Sequence, residues 1–278
     1  MNELLRLEHV NFHYEENYPA LKDVCVKLHK GERIAVLGNN GAGKSTFFLC
    51  CNGVLHPQSG KIYLRGNEIT HSKKDIMSLH QAVGLVFQDP DSQIIAGTVE
   101  SEVSFGPMNL GLDHDEVARQ VTLALEQMNL SGYENRAPQY LSGGEKKRVS
   151  IADILAMQPD IILLDEPTAS LDPENVTVLE EILDEFSNAG ITLVISTHDV
   201  DFAYRFAERG VVFSHGEIIA DSGIDEVFSS EETLNKAGLK KPLLYAAAEL
   251  LHTHFQGNTL TKKPRSLDEL KDYISNLK

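Results

Sequence analysis

Residues 38–45 carry the sequence GNNGAGKS, which fits the pattern G-x-x-x-x-G-K-[ST] and lies between an apolar run and a helix-forming segment. Glycine lets the backbone curl so that successive N–H groups point at phosphate oxygens, and a helix N-terminus adds partial positive charge. Lys44 would place a full charge on the β- and γ-phosphates, and the Ser45 hydroxyl suits Mg²⁺, which takes oxygen ligands. The pattern predicts a nucleotide-binding loop formed by Gly38, Asn39, Asn40, Gly41, Ala42, Gly43, Lys44, Ser45 and Thr46.

Two carboxylates follow the apolar run at 161–164. Such a run is typical of a strand covered on both faces of a parallel sheet, and open α/β sheets bind ligands beyond the carboxyl ends of their strands. Asp165 is therefore predicted to hold Mg²⁺ through a water molecule. Glu166 is one residue further on and points in a different direction, so we predict that it is the general base for the attacking water.

Polar side chains also follow two other predicted strands. His198 comes after the apolar run at 192–196 and is predicted to contact the γ-phosphate or the attacking water. Gln88 follows the run at 83–87, where its amide could bind Mg²⁺ or water and report whether the site is occupied. The predicted catalytic residues are Glu166, His198 and Gln88, and the predicted Mg²⁺ ligands are Ser45, Gln88 and Asp165.

The segments that must position these residues alternate between apolar strands and amphipathic helices. Strands are predicted at 32–37, 62–64, 83–87, 161–164 and 192–196, and helices at 44–55 and 113–128. This alternation indicates an α/β fold with a parallel sheet. Residues from about 89 to 150 break the alternation and are mostly helical in pattern, which predicts a helical insertion into the sheet domain.

The composition restricts the possible classes of function. The chain has 278 residues, enough for one large domain and an extension, and its formal net charge is −16. Such an acidic chain lacks the basic face that nucleic acid or anionic lipid would require, so no nucleic-acid partner is expected. No apolar stretch approaches the ~20 residues of a membrane span. The first residues do not resemble a signal peptide, so a membrane role would require partner subunits.

The three cysteines are Cys25, Cys50 and Cys51, which fit a reducing cytoplasm and are not spaced as metal ligands. Cys50 and Cys51 are neighbours on a predicted helix and point in different directions, so small buried side chains are expected rather than a redox pair. The 11 histidines are scattered without an H-x-x-x-H cluster, and no zinc site is expected from their spacing.

The sequence LSGGE at 141–145 adds the motif that points to a family. Taken with the phosphate loop, Gln88, the acid pair and His198 in this order, it resembles the ATP-binding cassette ATPases from about Leu4 to Ile224. The resemblance implies a P-loop NTPase fold with a RecA-like core on a parallel sheet, an antiparallel β region and an inserted helical subdomain. It also implies ATP and Mg²⁺ as ligands.

In this family, two chains close head to tail over two MgATP. Tyr14 matches the aromatic residue that stacks on adenine. Ser142, Gly143 and Gly144 match the signature segment, which opens a helix toward the γ-phosphate held by the opposite subunit. Residues 170–172 match the loop that links the two sites. The resemblance therefore implies a dimer, either of identical chains or with a paralogous ATPase.

Several segments resemble one branch of the family, the energy-coupling-factor ATPases of cobalt, nickel and vitamin uptake. These segments are 87–95, 104–112, 226–228 and the tail after 237–239, and the FQDP sequence at 87–90 is closer to the cobalt/nickel type. The resemblance implies a transmembrane coupling subunit, a substrate-binding membrane subunit and a peripheral position on the cytoplasmic face of the membrane. A vitamin-type or other importer is the alternative. A non-transport ATPase fits less well, because the chain has one cassette and no long coiled coil.

The segment after the glutamine docks a coupling helix of the transmembrane subunit in that branch. An apolar groove for this helix is expected from Ile94, Ile95, Val99, Phe105 and Met108. The alternative for each of these side chains is a place in the core of the helical subdomain.

The composition changes after Gly223, and a domain boundary is predicted there. We expect an ATPase domain at 1–225, with its helical subdomain at about 89–150, and a small helical C-terminal extension at 226–278. Apolar spacing predicts a helix at 239–254, and the segment Ser266–Glu269 has capping-box form. Leu267, Leu270, Ile274 and Leu277 fall on one face of the helix that follows, which is expected either to pack on the main domain or to form a dimer contact.

Overall fold

A four-stranded antiparallel sheet is built mainly from the N-terminal part of the chain. The computed structural model describes residues 2–15, 18–70, 72–255 and 263–276. Strand β1 spans Glu3–Glu15, β2 Tyr18–His29, β4 Ser59–Leu64 and β5 Asn67–Glu68, in the spatial order β2-β1-β4-β5. The register between β1 and β2 shifts repeatedly, as it does where bulges interrupt an antiparallel pair. This sheet is the antiparallel β region that the family resemblance implied.

The second sheet has six strands and carries the predicted site. Strand β3 spans Arg33–Leu37, β6 Val83–Val86, β7 Ile161–Asp165, β8 Thr192–Ser196, β9 Arg209–Ser214 and β10 Glu217–Gly223. The order is β10-β9-β3-β8-β7-β6, and every neighbouring pair is parallel except β10 with β9. The predicted parallel sheet is confirmed, with β3 starting one residue later and β6 ending one residue earlier than expected.

The six-stranded sheet is buried on both faces, because alternate residues of each strand join different cores. Ile161 and Leu163 of β7 pack with the antiparallel sheet and with Phe47 and Phe48 of the first helix. The intervening Ile162 packs instead with the helices on the other face. A strand with no solvated face can carry polar groups only at its ends, which explains where the candidate site lies.

In the described residues, seven α-helices lie between the strands. Helix α1 spans Lys44–Asn52, α2 Lys73–Ala82, α3 Val99–Asn109, α4 His114–Gln127, α5 Gly143–Leu155, α6 Pro173–Asn188 and α7 Val200–Phe206. Helix α1 is three residues shorter than predicted because Gly53 ends it in a left-handed conformation, at φ 87°. Helices α3, α4 and α5 pack against one another between β6 and β7, where the helical insertion was predicted. Helix α5 continues past residue 150, to Leu155.

Four further helices follow β10: α8 at Ile224–Ser229, α9 at Glu231–Ala237, α10 at Leu243–Phe255 and α11 at Leu267–Asn276. Phe228 and Tyr245 are buried in the same core as the helices that cover the sheet, and each ring packs on Tyr204 at 5.9 and 5.6 Å between centroids. Residues 224–245 therefore extend the main core rather than forming a core of their own. The boundary at 225 and 226 stays a prediction.

The apolar face predicted for the last helix is only partly packed within the single chain. Leu267 and Ile274 are exposed, Leu270 is half-buried, and Tyr273 packs on α10 against Ala248. A dimer contact through this face stays a prediction. Leu277 lies outside the described residues. The Ser266 hydroxyl accepts a hydrogen bond from Glu269 N, but the Glu269 carboxylate accepts from Arg265 N instead of completing the capping box. Among the described residues, no helix is long and apolar enough to span a membrane.

We expect Phe228→Ala to lower the free energy of unfolding of the whole chain by about 3–5 kcal/mol, because it empties a fully buried aromatic site in the main core. Leu250→Ala on α10 is the matched control, since Leu250 is 73% exposed and its loss should change stability by no more than about 0.5 kcal/mol. Urea unfolding followed by circular dichroism measures both. Equal effects would show that residue 228 does not belong to the main core.

Candidate functional site

The predicted phosphate loop connects β3 to α1 and closes over its own lysine. Lys44 is buried, and its Nζ donates hydrogen bonds to the carbonyl oxygens of Gly38 at 2.7 Å and Asn39 at 3.3 Å. Gly43 adopts φ 110°, and a Cβ at this position would lie 2.6 Å from the Ala20 carbonyl oxygen. Only glycine fits that position, both for its backbone conformation and for the close approach of β2.

The charge of Lys44 is balanced by the two predicted acids. Burial lowers the pKa of Lys44, while the negative charges of Glu166 and Asp165 raise it. The two carboxylates are thus within electrostatic reach of the lysine that was predicted to bind phosphate. Ser45, at the start of α1, presents its side chain to solvent beside this group.

Tyr14 lies beside the loop as well. Its hydroxyl oxygen is 3.3 Å from the Thr46 Oγ1, and its ring meets Phe12 edge-on at 5.0 Å. The tyrosine is nevertheless 61% exposed, so ring surface is available next to the phosphate loop. This geometry is compatible with base stacking, and the stacking role stays a prediction.

The two carboxylates diverge at the end of β7. Asp165 Oδ1 accepts a hydrogen bond from the Ser196 hydroxyl of the neighbouring strand β8. Glu166 adopts a left-handed backbone, at φ 43°, and its N–H donates to the Ser196 carbonyl oxygen at 3.0 Å. A non-glycine residue in this region costs about 1–3 kcal/mol and persists where the surroundings hold it. This turn directs Glu166 away from Asp165.

The side chain of Glu166 meets His198. Glu166 Oε2 lies 2.9 Å from His198 Nδ1 and also faces the His198 N–H at 3.4 Å. The carboxylate is buried, whereas the imidazole is 70% exposed. The structure therefore brings the predicted base and the predicted histidine into contact, with the histidine on the open side.

Gln88 follows β6, and its side chain is exposed. Its backbone is fixed by a residue that the motifs did not identify. Lys147 Nζ donates to the carbonyl oxygens of Gln88 at 2.7 Å and Phe87 at 2.9 Å. The Lys147 side chain is almost completely buried, at 2% exposure, and burial lowers its pKa to about 8, while the charges of Asp165 and Asp89 oppose this shift.

A basic run such as Lys146–Arg148 usually lies on a solvated face, and for this reason sequence analysis missed Lys147. One signal was available in the helical spacing. Lys147 lies three residues after Gly144 and four before Ile151, and all three are buried on one face of α5. A lysine on a buried helix face needs hydrogen-bond partners, which here are two backbone carbonyls.

Gln93 ties the other end of the same segment to α5. Its Oε1 accepts from Phe87 N at 3.1 Å, and its Nε2 donates to the Ser150 carbonyl oxygen at 2.9 Å and to Asp153 at 3.3 Å. Burial raises the pKa of Asp153 to about 7. The segment that contains Gln88 is therefore held at both ends by one helix.

The predicted signature segment lies at the other end of α5. Ser142 caps the helix by accepting from Glu145 N at 3.3 Å, and the Glu145 carboxylate accepts from Ser142 N at 2.7 Å. Ser142 and Gly143 are exposed, and a Cβ on Gly143 would meet nothing within 4 Å. In the part of the chain that the structure describes, no hydrogen bond or ion pair joins residues 142–144 to the phosphate loop. These two predicted parts of the site are not brought together within one chain.

The loop at 170–172 is connected to the signature helix through α6. Ser170 is exposed with φ 64°, and Asp172 caps α6 by accepting from Asn175 N at 2.9 Å. The Asn175 amide oxygen in turn accepts from Arg148 on α5, at 3.0 Å. A Cβ on Gly144 would overlap this amide at 2.2 Å, so the signature glycine is required for the close approach of α6.

An apolar groove lies beside the Gln88 segment, with a volume of about 360 Å³. The expected lining was only partly right. Phe105 lines the groove and is 56% exposed, whereas Val99 is fully buried in the helical core and Ile94 packs against that core. The other apolar lining residues include Val54, Met77, Phe87, Ile154 and Met157. The groove therefore spans the sheet domain and the inserted helices, rather than the inserted helices alone.

Comparison with known proteins gives consistent matches. The family profile described as ABC transporter matches residues 21–169. The energy-coupling factor transporter ATP-binding protein EcfA of Methanothermobacter thermautotrophicus is 48% identical over 239 residues, covering 86% of this chain and 77% of that protein. EcfA of Methanocaldococcus jannaschii is 46% identical, with coverage of 87% and 86%.

Solved structures agree with the sequence matches. The structure of cbiO1 from Clostridium perfringens, described as part of the ABC transporter complex cbiONQ, is 38% identical with a TM-score of 0.75. It covers 90% of this chain and 100% of its own. A dimeric ATP-binding cassette in a post-hydrolysis state, bound to ADP and Pi, is 27% identical with a TM-score of 0.71, covering 80% and 99%.

The hydrogen bonds of Lys147 generate a prediction about turnover. Lys147→Met keeps the apolar stem but removes a charged donor, a loss worth about 1.5–3 kcal/mol. We expect saturated ATP turnover to fall at least ~10-fold, while ATP affinity changes by less than ~3-fold, because the segment positions Gln88 rather than gripping the nucleotide. Steady-state ATPase assays and equilibrium nucleotide binding measure the two quantities.

Lys146→Met is the matched control, because Lys146 pairs at the surface with Asp91 and should affect turnover little. Lys147→Gln retains a donor and should recover part of the activity.

The pH dependence of stability offers an independent readout. Between pH 8 and 10.5 the unfolded chain still holds the Lys147 proton, whereas the folded chain has released it. In this range the free energy of unfolding of the wild type should therefore rise with pH relative to that of Lys147→Met. Loss of ATP affinity equal to the loss of turnover would contradict the positioning role.

Proposed function

The chain belongs to the ABC transporter family as an energy-coupling-factor ATPase, and we propose that it hydrolyses MgATP within a dimer to power uptake of a cobalt or nickel ion. The observation that carries the hydrolytic part of this proposal is the 2.9 Å contact between Glu166 and His198, within electrostatic reach of Lys44. Phosphoryl transfer to water requires positive charge that positions the phosphate and a base that accepts a proton from the attacking water.

In the proposed reaction, a water oxygen forms a bond to the γ-phosphorus, and its proton passes to the Glu166 carboxylate as the bond to ADP breaks. His198, held against Glu166, orients this base and faces the γ-phosphate from the open side. Lys44 and the N–H groups of the loop bind the phosphate oxygens.

The donor set beside the loop fits Mg²⁺. Ser45 offers a hydroxyl, Asp165 a carboxylate and Gln88 an amide oxygen, and Mg²⁺ takes oxygen ligands. When bound, the ion would neutralise charge on the phosphate oxygens. Ser196 holds Asp165 by a hydrogen bond, which orients the carboxylate for this role.

The exposed N-terminus of α5 supports a site shared between two chains. Ser142 and Gly143 are exposed to approach from outside the chain, and the helix N-terminus that they form with the buried Gly144 suits a γ-phosphate on an opposing subunit. The dimeric cassette with ADP and Pi has the same fold. The partner chain is a second copy or a paralogous ATPase, since all the predicted catalytic positions are intact in this chain.

The groove beside Gln88 supports docking of a helix from a transmembrane coupling subunit. It is apolar, is open on the surface and borders the segment that Lys147 and Gln93 hold. A helix seated there would be in contact with the element that also touches the nucleotide site. Such docking would place the chain at the cytoplasmic face of the membrane as a peripheral subunit, together with a substrate-binding membrane protein.

Cobalt or nickel is favoured over a vitamin by the FQDP sequence at 87–90, which resembles the metal-uptake branch. This part of the proposal concerns the partner subunits, because the ATPase does not contact the transported substrate. The vitamin-type importer is the alternative outcome of the uptake experiment described below.

The general-base assignment predicts the behaviour of Glu166→Gln. This variant should bind ATP normally but hydrolyse it at least ~10²-fold more slowly, because general-base catalysis contributes about 10²–10⁴-fold. Single-turnover ATP hydrolysis and equilibrium binding measure the two effects. Lys44→Ala is the contrasting variant, since it should lose nucleotide binding itself. Near-normal turnover in Glu166→Gln would refute the assignment.

The docking groove predicts the effect of Phe105→Asp on transport. In vesicles containing the assembled transporter, this charge should abolish ATP-driven Co²⁺ or Ni²⁺ uptake, because it places a carboxylate in an apolar contact surface. The ATPase activity of the isolated chain should be unchanged. Leu123→Asp, on an exposed position of α4 outside the groove, is the control and should transport normally. Uptake of a vitamin but of neither ion would overturn the metal assignment.

A further inference from the structure

A cluster of three potential metal ligands lies on the antiparallel sheet, outside the phosphate loop and its neighbours. His9 Nδ1 is 2.7 Å from Asp23 Oδ1 and 3.7 Å from Cys25 Sγ. All three ligand atoms lie within 4.8 Å of one another, and all three side chains are exposed. Within the described residues, no other group of three or more histidine, cysteine and carboxylate side chains has this proximity.

The irregular pairing of β1 with β2 produces the cluster. His9 and Asp23 both have left-handed backbones, at φ 52° and 51°, where the register between the strands shifts. Asn11 braces the turn by donating to the His9 carbonyl oxygen at 2.8 Å and accepting from Asp23 N at 2.9 Å. The His9 N–H points at Cys25 Sγ from 3.1 Å. The ligand positions are thus fixed by the backbone as well as by side-chain rotamers.

The donor set is selective for one class of ion. A nitrogen, a sulfur and a single carboxylate do not suit Mg²⁺ or Ca²⁺, which take several oxygen ligands, but they suit Zn²⁺ and similar divalent transition metals. Metal–ligand distances of about 2.0–2.3 Å in a tetrahedron place ligand atoms about 3.3–3.6 Å apart. The sulfur–nitrogen separation of 3.7 Å lies within about 0.1 Å of this range, and the nitrogen–oxygen separation of 2.7 Å must open by about 0.6 Å.

We propose that His9, Asp23 and Cys25 form a binding site for a divalent transition-metal ion of the Zn²⁺ class, with water in the fourth position. Binding releases the thiol proton and any Nδ1 proton to solvent, and the ion replaces the present His9–Asp23 contact. Arg6 lines the same surface pocket as His9 and Cys25, and it is already paired with Glu3 and Glu8, so its charge is offset. The ion would cross-link β1 to β2 and so stabilise the folded chain by mass action.

This site was not expected from the sequence. Metal motifs are recognised by ligands spaced a few residues apart on one element, whereas His9 is 14 residues from Asp23 and 16 from Cys25. Only the register of a bulged strand pair brings them together. The proposal is independent of the ATPase mechanism and of the transported substrate, because none of its three residues belongs to the candidate nucleotide site.

The test uses Co²⁺ as a spectroscopic substitute for Zn²⁺, which is d¹⁰ and has no d–d spectrum. The full-length protein is titrated with Co²⁺ in excess Mg²⁺, which occupies the oxygen-rich nucleotide site. We expect a near-ultraviolet thiolate-to-cobalt band that saturates at about one ion per chain, with Zn²⁺ displacing Co²⁺. The band can be assigned to the Cys25 thiol, because Cys50 and Cys51 are fully buried and burial raises the pKa of Cys50 to about 12.

Three variants locate the site without disturbing the backbone. Cys25→Ser should abolish the band, and His9→Asn and Asp23→Asn should weaken Co²⁺ binding at least ~10-fold, since asparagine tolerates the left-handed conformation. His13→Asn, further along β1, is the matched control and should bind like wild type. Absence of the band in wild type, its persistence in Cys25→Ser, or equal affinities in His9→Asn and His13→Asn would each overturn the proposal.

Discussion

The burial of the six-stranded sheet on both faces is the constraint from which the candidate site follows. Along β7 and β8 every interior side chain packs into one of two apolar cores, so polar groups are excluded until the strands end. The parallel arrangement then brings the ends of β3, β6, β7 and β8 to one edge. Glu166 directly follows β7, Gln88 and His198 lie two residues beyond β6 and β8, and Lys44 lies seven residues beyond β3, at the end of the phosphate loop. Their proximity is therefore a consequence of topology rather than of any direct attraction among them.

Helix α5 connects that edge to the rest of the molecule. Its buried face holds the Gln88 segment through Lys147, while its N-terminus presents Ser142 to solvent. Arg148 joins the same helix to Asn175, next to the loop that precedes α6. A rotation of α5 would therefore move three loops together, because hydrogen bonds to buried backbone groups are costly to break. A helix docked in the apolar groove would act on this same element.

The strand–helix alternation predicted from the sequence is confirmed. The phosphate loop and the acids after β7 are each contained in a few consecutive residues, and the structure places them within electrostatic reach of one another. Their roles in nucleotide binding and hydrolysis stay predictions. Contacts between elements that are distant in the chain were harder to predict. Lys147 lies in a basic run of a kind that is usually solvated, and Val99, for which the groove and the helical core were both open, lies in the core. The cluster at His9 depends on a strand register that no spacing rule encodes.

The charge of the chain constrains how the proposed dimer can close. Each chain carries a formal charge of −16, and ATP adds further negative charge, so two chains brought face to face repel at long range. Attraction must come from the few positive features at the site, which are Lys44, the helix N-termini and a bound cation. A nucleotide can shift the equilibrium toward closure only by its greater affinity for the closed state. In the proposed dimer the signature segment would contact nucleotide only in the closed state. Loss of the γ-phosphate would then remove the contact that offsets the repulsion and favour the open form.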